Sequence, residues 1–374
     1  MYNTIFVGLD VHKDTIAVAI AKAGREGAES LGIISNDSTS IIKLVRRLEK
    51  KGRKLAFCYE AGPCGYGLYR LIKGMGHDCE VVASSLVPQK PGDRIKTDRR
   101  DAQKLARNFR NGELTPVWVP DEDHEALRDL VRGRECVKED LHRNRQRLSK
   151  FILRLGLRAP EGARNWSSKH WQWLKSLKLD NPAQQMVLCE YIHTIEECNG
   201  RIERFEKEIE EIMKTSVHHE ILSALQGFRG IALVTAATII AEVGDLKRFK
   251  KPGQLMSYTG LIPSEWSSGS NRIQGSITKC GNSHLRRVIV EAAWHYRHRP
   301  AIGVNLEKRQ KGLPEEIKQI SWKAQHRLNL KYRRMIGRGK TKQNTVVAVA
   351  RELLGFIWAV GQIVGEDKEV CDVV

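Results

Sequence analysis

Residues 4 to 115 alternate short apolar runs with amphipathic segments, and the order of these segments restricts the fold more than any other feature of the chain. The runs TIFVGLD, TIAVAIA and SLGIIS come first, and a short turn, VHKD, separates the first two. An amphipathic segment follows, with helical spacing at Ile41, Leu44, Val45 and Leu48. The runs KLAFCYE and CEVVAS come next, with the amphipathic segment GYGLYRLIKGMG between them. The pattern predicts three strands followed by helix, strand, helix, strand and helix.

This order of elements is that of an RNase H-like α/β fold. In such a sheet the ends of the first and fourth strands are neighbours, and a later helix packs beside them. We therefore expect an RNase H-like domain over residues 1–118.

The segment KTDRRDAQKLA, residues 96 to 106, places two acids among cations at the start of the last of these helices. At about 100° per residue, Asp98, Asp101, Ala102 and Leu105 share one helical face, so the acids point the same way as the apolar residues. Inward carboxylates are costly unless a cation meets them, and a metal ion is one such partner. The structural alternative is that the helix dipole favours acids in the first turn and that Asp98 is an N-cap.

Two further acids lie where the predicted topology brings them to this helix. Asp10 ends the first strand and Glu60 ends the fourth. Each alone is an ordinary strand-end or loop residue, but four carboxylates converging from three elements repel one another strongly without a cation. A pair of divalent metal ions, Mg²⁺ or alternatively Mn²⁺, bound by Asp10, Glu60, Asp98 and Asp101, reconciles them and suits reactions at a phosphate.

The charge of the chain indicates a polyanionic partner. The 374 residues include 63 Lys and Arg and carry a net charge of +19, which favours nucleic acid as the partner.

No apolar run approaches the roughly 20 residues of a spanning helix, and no signal peptide opens the chain, so we expect no membrane association. The eight cysteines form no CxxC pair, which argues against structural zinc and disulfides and favours the cytoplasm.

The middle of the chain, residues 119–217, is expected to be helical. One helix is predicted from 121 toward 155 and a second from Pro182 onward. The second carries apolar residues at alternating spacings of three and four, which is a heptad seam. The seam fits either an intramolecular hairpin with the first helix or a dimerising coiled coil. Its positions are Leu188, Tyr191, Ile195, Cys198, Ile202, Phe205, Ile209 and Ile212.

Residues 218–374 are expected to form a third, mainly helical domain. The segment from Ile221 to Phe249 predicts two helices joined by a turn with Gly227 and Gly230, which fits either a helix-hairpin-helix-like element or a plain helical hairpin. The stretch SEWSSGSNR is, by itself, typical of a flexible polar loop. The stretch WKAQHRLNLKYRRMIGRGKTK is strongly basic with interleaved aromatic residues, which is typical of a nucleic-acid surface.

Four segments, in this order and spacing, carry a resemblance to a known family: GLDVHKD, YEAGPCGYGLY, KTDRRDAQKLA and GLIPSEWSSGSNR…ITKCGN. The chain resembles the DEDD-type transposases of the one-ten and eleven-eleven families of insertion sequences, which are described as bridge-RNA-guided recombinases. The resemblance covers nearly the whole chain, including a RuvC-like domain, a coiled-coil middle and a C-terminal transposase domain. The TDxxDA and SSG motifs together are specific, although each is weak alone.

The resemblance implies residue roles. Asp10, Glu60, Asp98 and Asp101 would be the DEDD metal ligands, and the nucleophilic serine, which directly precedes a glycine, would be Ser268. Some relatives have an acid where this chain has Ser267, so two adjacent hydroxyls compete for the assignment.

The family also implies several partners. These are DNA, an element-encoded guide RNA and further copies of the chain in a dimer or tetramer, where acids and serine of different protomers meet. It implies a place at the prokaryotic nucleoid.

Lys279, Arg286 and Arg287 are expected to contact phosphates, although basic residues on an exposed helix are often only solvated.

Two other interpretations of the function of the chain remain. A RuvC-like nuclease or junction resolvase would use water as the nucleophile and leave no covalent adduct. A non-catalytic nucleic-acid-binding protein would not need its acids at all.

Overall fold

The computed structural model describes residues 4–49, 53–89, 96–268 and 271–364. The chain divides into two compact units, Met1–Pro120 and Asp121–Val374. The further division into 119–217 and 218–374 stays a prediction.

A five-stranded mixed sheet forms the first unit, with the strand order β3-β2-β1-β4-β5. The pairs β1–β2 and β2–β3 are antiparallel, while β1–β4 and β4–β5 are parallel. The strands are β1 (Thr4–Val11), β2 (Thr15–Lys22), β3 (Glu29–Ser35), β4 (Lys54–Glu60) and β5 (Asp78–Val82).

Helices cover both faces of this sheet, in the predicted order along the chain. On one face, the odd-numbered residues of β1 and β4, such as Leu9 and Phe57, form a core with α1 and α2. On the other face, alanines of β2 pack against α3. The helices are α1 (Ser38–Glu49), α2 (Gly67–Gly74) and α3 (Asp98–Arg110). The α/β class is confirmed, and this arrangement is consistent with the RNase H-like expectation.

The second unit is mainly helical and contains one β-hairpin among its described residues. Its strands β6 (Pro263–Ser268) and β7 (Asn271–Ile277) pair antiparallel. Its helices are α4 (Glu122–Arg154), α5 (Ser168–Ser176), α6 (Pro182–Thr215), α7 (His219–Gln226), α8 (Leu233–Val243), α9 (Pro252–Tyr258), α10 (Ser283–Ala293), α11 (Val304–Gln310), α12 (Glu315–Gly337) and α13 (Lys342–Ile363).

The heptad seam of α6 packs against α4 within the chain. Leu188, Ile195 and Cys198 are buried in one cluster with Val137 and Leu148 of α4. The intramolecular hairpin is therefore the arrangement observed. A dimerising coiled coil stays a prediction.

The glycine turn between α7 and α8 packs against other elements of the second unit, and a helix-hairpin-helix-like role for it stays a prediction. Gly227 is buried, and its carbonyl oxygen accepts hydrogen bonds from Gln310 Nε2 and Ser321 Oγ, both at 2.8 Å. An added Cβ at Gly230 would lie 2.6 Å from the Ala292 carbonyl oxygen. Both glycines therefore serve internal packing, which explains their presence without a phosphate.

The helix α13 corrects one sequence expectation. Among the residues that the structure describes, one helix, Lys342–Ile363, has the length and the apolar composition that would allow it to cross a membrane. The expectation that no apolar segment approaches that length is therefore wrong. Val346, Val349, Leu353 and Ile357 on this helix are completely buried in the core of the unit. Its apolar character is therefore explained by packing inside the protein.

Candidate active site

A glycine on β1 lets α3 lie directly against the sheet. An added Cβ at Gly8 would lie 2.4 Å from the backbone nitrogen of Ala106 and 2.5 Å from the carbonyl oxygen of Ala102. The neighbouring residues of β2 that pack under the helix, Ala17 and Ala19, are also small. Only glycine permits this approach, because any side chain would push the helix away.

This close packing sets the first turn of α3 over the end of β1. Asp98 and Asp101 lie within one helical turn before Ala102, and Asp10 lies two residues after Gly8. Thr97 is the N-cap of this helix, and its side-chain oxygen accepts a hydrogen bond from the Arg100 backbone N–H at 3.4 Å. Asp98 is therefore not the N-cap, and its carboxylate is not used for capping.

Two aspartates of α3 act electrostatically on Asp10. Burial raises the pKa of Asp10, and the charges of Asp101 and Asp98 raise it further, while His12 opposes the shift. Asp10 is less exposed than Asp98, which lies at the surface. The folded chain thus concentrates negative charge at a point where protons or cations are favoured.

His12 also belongs to this group, and sequence reasoning missed it. Its Nε2 atom lies 3.4 Å from Asp10 Oδ2 and 3.7 Å from Asp98 Oδ1. Its backbone carbonyl accepts a hydrogen bond from Asn36 Nδ2 at 2.8 Å, which fixes the turn after β1. His12 lies in the turn after β1 and not on the strand, so strand alternation gives no signal for its position.

Glu60 comes to the same edge of the sheet through the strand register. Leu9 pairs with Tyr59 in the parallel β1–β4 ladder, so Asp10 and Glu60 follow side by side. Both lie on the face covered by α3, because Cys58, two residues before Glu60, directs its thiol toward the Leu105 carbonyl oxygen at 3.8 Å. The predicted meeting of the ends of the first and fourth strands is observed.

The donor set fits a divalent cation. One ligand atom each from Asp10, His12 and Asp98 lie within 4.8 Å of one another. Carboxylate oxygens are the ligands of Mg²⁺ and Mn²⁺, and a single imidazole is compatible with the latter. The raised pKa of Asp10 is a cost that a bound cation would remove.

The predicted serine lies on the β-hairpin of the second unit. Ser268 is the last residue of β6, is exposed and pairs with Asn271 of β7. Gly269 and Ser270, which separate the two strands in the sequence, lie outside the described residues. The sequence expectation of a flexible polar loop is thus replaced, on both sides of the tip, by paired strands.

The two adjacent serines have different surroundings. Ser267 Oγ donates a hydrogen bond to Glu265 Oε1 at 2.8 Å. Arg272 and Gln274 donate to the same carboxylate, and these bonds lower the pKa of Glu265 to about 2. Because successive strand residues face opposite sides, Ser268 lies away from this network.

The face of the hairpin that carries Ser268 is apolar and exposed. Trp266 is 69% exposed and pairs across the strands with Ile273, which is 62% exposed. Their alternation with polar residues was the available signal for two strands.

The three predicted phosphate contacts have unequal surroundings. Lys279 is exposed, and its backbone has the positive φ of 55°. Arg286 Nη1 donates to the carbonyl oxygens of Thr259 at 2.8 Å and Lys279 at 3.1 Å. Arg287 pairs with Glu135 of α4 and Glu291 of α10. Both arginines have internal structural partners, while their contact with phosphate stays a prediction.

Comparison with known proteins identifies the family. Residues 7–155 match a family model for DEDD-type IS110 transposases, described as "Transposase". Residues 222–304 match a model described as "Transposase IS116/IS110/IS902 family". The first match contains Asp10, Glu60, Asp98 and Asp101, which we call the acidic group. The second contains the hairpin of β6 and β7 that carries Ser268.

Curated relatives extend the similarity over almost the whole chain. The putative transposase y4qE of Sinorhizobium fredii is 44% identical over 362 residues, covering 96% of this chain and 89% of that protein. The transposase for insertion sequence element IS1533 of Leptospira borgpetersenii is 32% identical, covering 90% and 97%. A pilin gene-inverting protein of Moraxella bovis is 28% identical, covering 72% and 67%.

The folded arrangement and the matched lengths lead to one conclusion. The chain belongs to the IS110/IS116/IS902 family of DEDD-type insertion-sequence transposases, enzymes that cleave DNA and transfer its strands.

Proposed function

We propose that this transposase cuts and rejoins DNA through a covalent serine–DNA intermediate, assisted by divalent metal ions at the acidic group. The observation that carries the proposal is the convergence of Asp10, Asp98 and Asp101, whose mutual repulsion raises the pKa of Asp10 beyond the effect of burial. Such a cluster is unfavourable in a purely structural role and is explained by a cation that handles phosphate.

Asp10, Glu60, Asp98 and Asp101 would hold the metal, with His12 as a further ligand or as a hydrogen-bonding neighbour. A bound pair of Mg²⁺ ions supplies charge neutralisation at the phosphate and at the departing oxygen. The four acids would fix the position of the metal ions, because Asp10 and Glu60 lie on paired strands and Asp98 and Asp101 lie on a capped helix.

Ser268 would be the nucleophile. Its hydroxyl oxygen attacks a DNA phosphorus, a phosphate–serine ester forms, and one DNA phosphoester bond breaks. The serine proton passes to solvent, and the departing DNA oxygen gains a proton. The number of phosphoester bonds is unchanged, so a second DNA hydroxyl can reverse the step and rejoin strands without ATP.

The hydrogen-bond pattern supports Ser268 over Ser267. Ser267 Oγ is engaged with Glu265, and that carboxylate is a weak base because its pKa is about 2. Ser268 is exposed at the end of its strand, and its hydroxyl does not belong to the hydrogen-bond network of Glu265.

The partners proposed are DNA, an element-encoded guide RNA and further copies of the chain as a dimer or tetramer. The net charge of +19 supports polyanionic partners. If base pairing with the guide RNA chooses the DNA target, the residues of the protein need not specify the target sequence.

A water-using nuclease is the second candidate. It is favoured by one observation, that all four acids lie within the first unit while Ser268 belongs to the second. A relative named as a pilin gene-inverting protein argues for the first candidate, because inverting a gene requires rejoining as well as cutting.

The test is a denaturing gel of end-labelled element DNA incubated with the protein, Mg²⁺ and RNA from the native locus. We expect labelled DNA to remain attached to the wild-type protein and to Ser267→Ala, and attachment to disappear in Ser268→Ala and after chelation of the metal. Metal-dependent cleavage that continues in Ser268→Ala, with no attached DNA in any sample, would instead establish the water-using nuclease.

A further inference from the structure

A broad cleft runs along α12 in the second unit, and none of the residues assigned to the active site line it. Its volume is about 1040 Å³, and α12, α13 and residues 299–300 line it. A second cleft of about 710 Å³ adjoins it further along α12 and shares Arg327 and Leu330 with it. We call the two together the α12 cleft.

Cations dominate the walls of the α12 cleft. The single acidic side chain that lines it, among the described residues, is Glu352, which pairs with Lys331 at 2.7 Å and with Arg327. The remaining positive charge has no acidic balance within the described lining and therefore favours a polyanion. The lining cations are Arg299, Lys323, Arg327, Lys331, Arg333, Arg334, Arg338 and Lys340.

An aromatic and apolar stripe runs beside these cations. Trp322 is 40% exposed, and its ring centroid lies 4.5 Å from that of His326, one helical turn further on. Leu330, 47% exposed, continues the stripe by one more turn. A second, cationic stripe runs parallel to this one. It begins with Lys323, which follows Trp322, and Arg327, which follows His326. Both stripes repeat at about 6 Å, the rise of four helical residues.

Buried hydrogen bonds hold the opposite wall in place. Asn329 Nδ2 donates to the carbonyl oxygens of Tyr296 at 3.0 Å and His298 at 2.9 Å, and Gln325 Oε1 accepts from the Ala301 backbone N–H at 3.1 Å. Both side chains are almost completely buried. They fix the segment that carries Arg299 alongside α12, so the cleft has a defined width.

We propose that the α12 cleft binds a single-stranded segment of nucleic acid, with a base stacked on Trp322 and successive phosphates on the cationic stripe. A platform of this kind needs an unpaired base, because a duplex presents its phosphates and hides the faces of its bases. An acidic protein would meet the cations but would leave the aromatic stripe unexplained. The proposal deepens the proposed function by adding a binding site, and it does not depend on covalent chemistry at Ser268.

Binding is measured in the full-length Ser268→Ala protein, so that failure of the serine chemistry cannot change the result. The probes are fluorescent uridine-rich RNA, the matching deoxyuridine strand and a DNA duplex of the same length. A second set of the two single strands carries 5-iodouracil, and photocrosslinked peptides are identified by mass spectrometry.

We expect both single strands to bind more tightly than the duplex and to crosslink to the peptide with Trp322 and His326. Trp322→Ala should weaken single-strand binding on the order of tenfold, and Trp322→Phe, which keeps a ring, should weaken it less. Lys323→Ala and Arg333→Ala should each reduce the slope of log affinity against log salt by about 0.7. The relative affinities of the ribose and deoxyribose strands identify which nucleic acid the cleft prefers.

Lys207→Ala is the matched control, because this lysine lies on α6, outside the α12 cleft. Thermal melting of each variant separates lost binding from lost folding. The proposal is overturned if the duplex binds best, if crosslinks fall only outside α12, or if folded Trp322→Ala binds the strands as tightly as the Lys207→Ala control.

Discussion

At the scale of single residues, the surroundings of Asp10 oppose the charge of its carboxylate. Its carboxylate is partly buried at the end of β1, and two further aspartates face it from the first turn of α3. Burial and like charge both oppose its ionisation, which is why its pKa is raised. Metal binding would reverse this effect, because ligation requires the ionised form.

Replacing Asp10 with asparagine separates the repulsion between carboxylates in the metal-free protein from the stabilisation by bound metal. In Asp10→Asn, we expect the metal-free protein to melt at a higher temperature than wild type near neutral pH, because a repulsive charge is removed. We expect the rise in melting temperature on adding Mn²⁺ or Mg²⁺ to be lost. In wild type that rise should weaken as pH falls through the raised pKa of Asp10, since protons then compete with the metal.

Calorimetric melting with and without metal tests this. Asp14→Asn serves as a control, because Asp14 lies in the turn after β1 and outside the acidic group. An Asp10→Asn protein that still gains stability from metal would contradict the assignment of Asp10 as a ligand.

The residue scale also shows what a sequence can and cannot predict. The order of strands and helices is sufficient to predict that Asp10 and Glu60 end neighbouring strands and that Asp98 and Asp101 begin a helix beside them. The use of all four as metal ligands stays a prediction. The role of His12 is harder to predict, because it depends on the path of a turn that Asn36 fixes from a distance in sequence.

At the scale of elements, the contact between α3 and β1 determines where the acids lie. The Ala102 and Ala106 backbone rests on Gly8, and Gln103 Nε2 donates to the Ala28 carbonyl oxygen at 3.1 Å on the flank of the helix. Any outward movement of α3 carries Asp98 and Asp101 away from Asp10.

Adding one methyl group at this contact tests its importance. Gly8→Ala should destabilise the protein by about 2 kcal/mol, as overpacking of a close contact does, and should lower metal-dependent DNA cleavage because the acids separate. Gly27→Ala is the matched control, since an added Cβ there meets nothing within 4 Å. Urea unfolding and a cleavage assay give the two readouts. Equal activity in both variants would show that the spacing of α3 from β1 does not control the site.

Element patterns are informative where periodicity is long and less informative where it is short. The seam of α6 predicts a packed helix over many turns, and its partner within the chain is α4. The segments that form β6 and β7 have the composition of a loop, because Ser and Gly at the tip mask a short alternation. Their pairing is a cross-strand property that depends on both segments together.

At the scale of the whole molecule, the chain keeps its acids and its proposed nucleophile in different units, and each unit needs its own stability. In the second unit, a completely buried carboxylate joins three elements. Glu242 of α8 accepts hydrogen bonds from Arg132 of α4 at 2.7 Å and from Asn282, the N-cap of α10, at 2.6 Å. Burial opposes its ionisation, but these partners outweigh burial and lower its pKa.

Neutralising this carboxylate should weaken the second unit. Glu242→Gln leaves buried Arg128 and its neighbour Arg132 without this acid, and we expect a loss of about 3 kcal/mol in the free energy of unfolding near neutral pH. A lowered pKa stabilises the fold above the ordinary value of about 4.3, and this contribution is lost as pH falls through the folded-state value. The difference between variant and wild type should therefore shrink in acid.

Urea unfolding across roughly pH 3 to 7, on the order of one pH unit per step, measures this dependence. Exposed Glu203 on α6 provides the control variant Glu203→Gln, for which we expect little change. A difference for Glu242→Gln that is absent near neutral pH or grows in acid would contradict the stabilising role of the carboxylate.

The central claim of this account is that the acids of the first unit enable a covalent step at Ser268. The most direct test is peptide mass spectrometry after reaction with element DNA, Mg²⁺ and RNA from the native locus, followed by denaturation and nuclease digestion. The account predicts a nucleotide on Ser268 in wild type and none in Asp98→Asn. Cleaved DNA with no nucleotide on the peptide containing Ser267 and Ser268, or equal modification in Asp98→Asn, would contradict it.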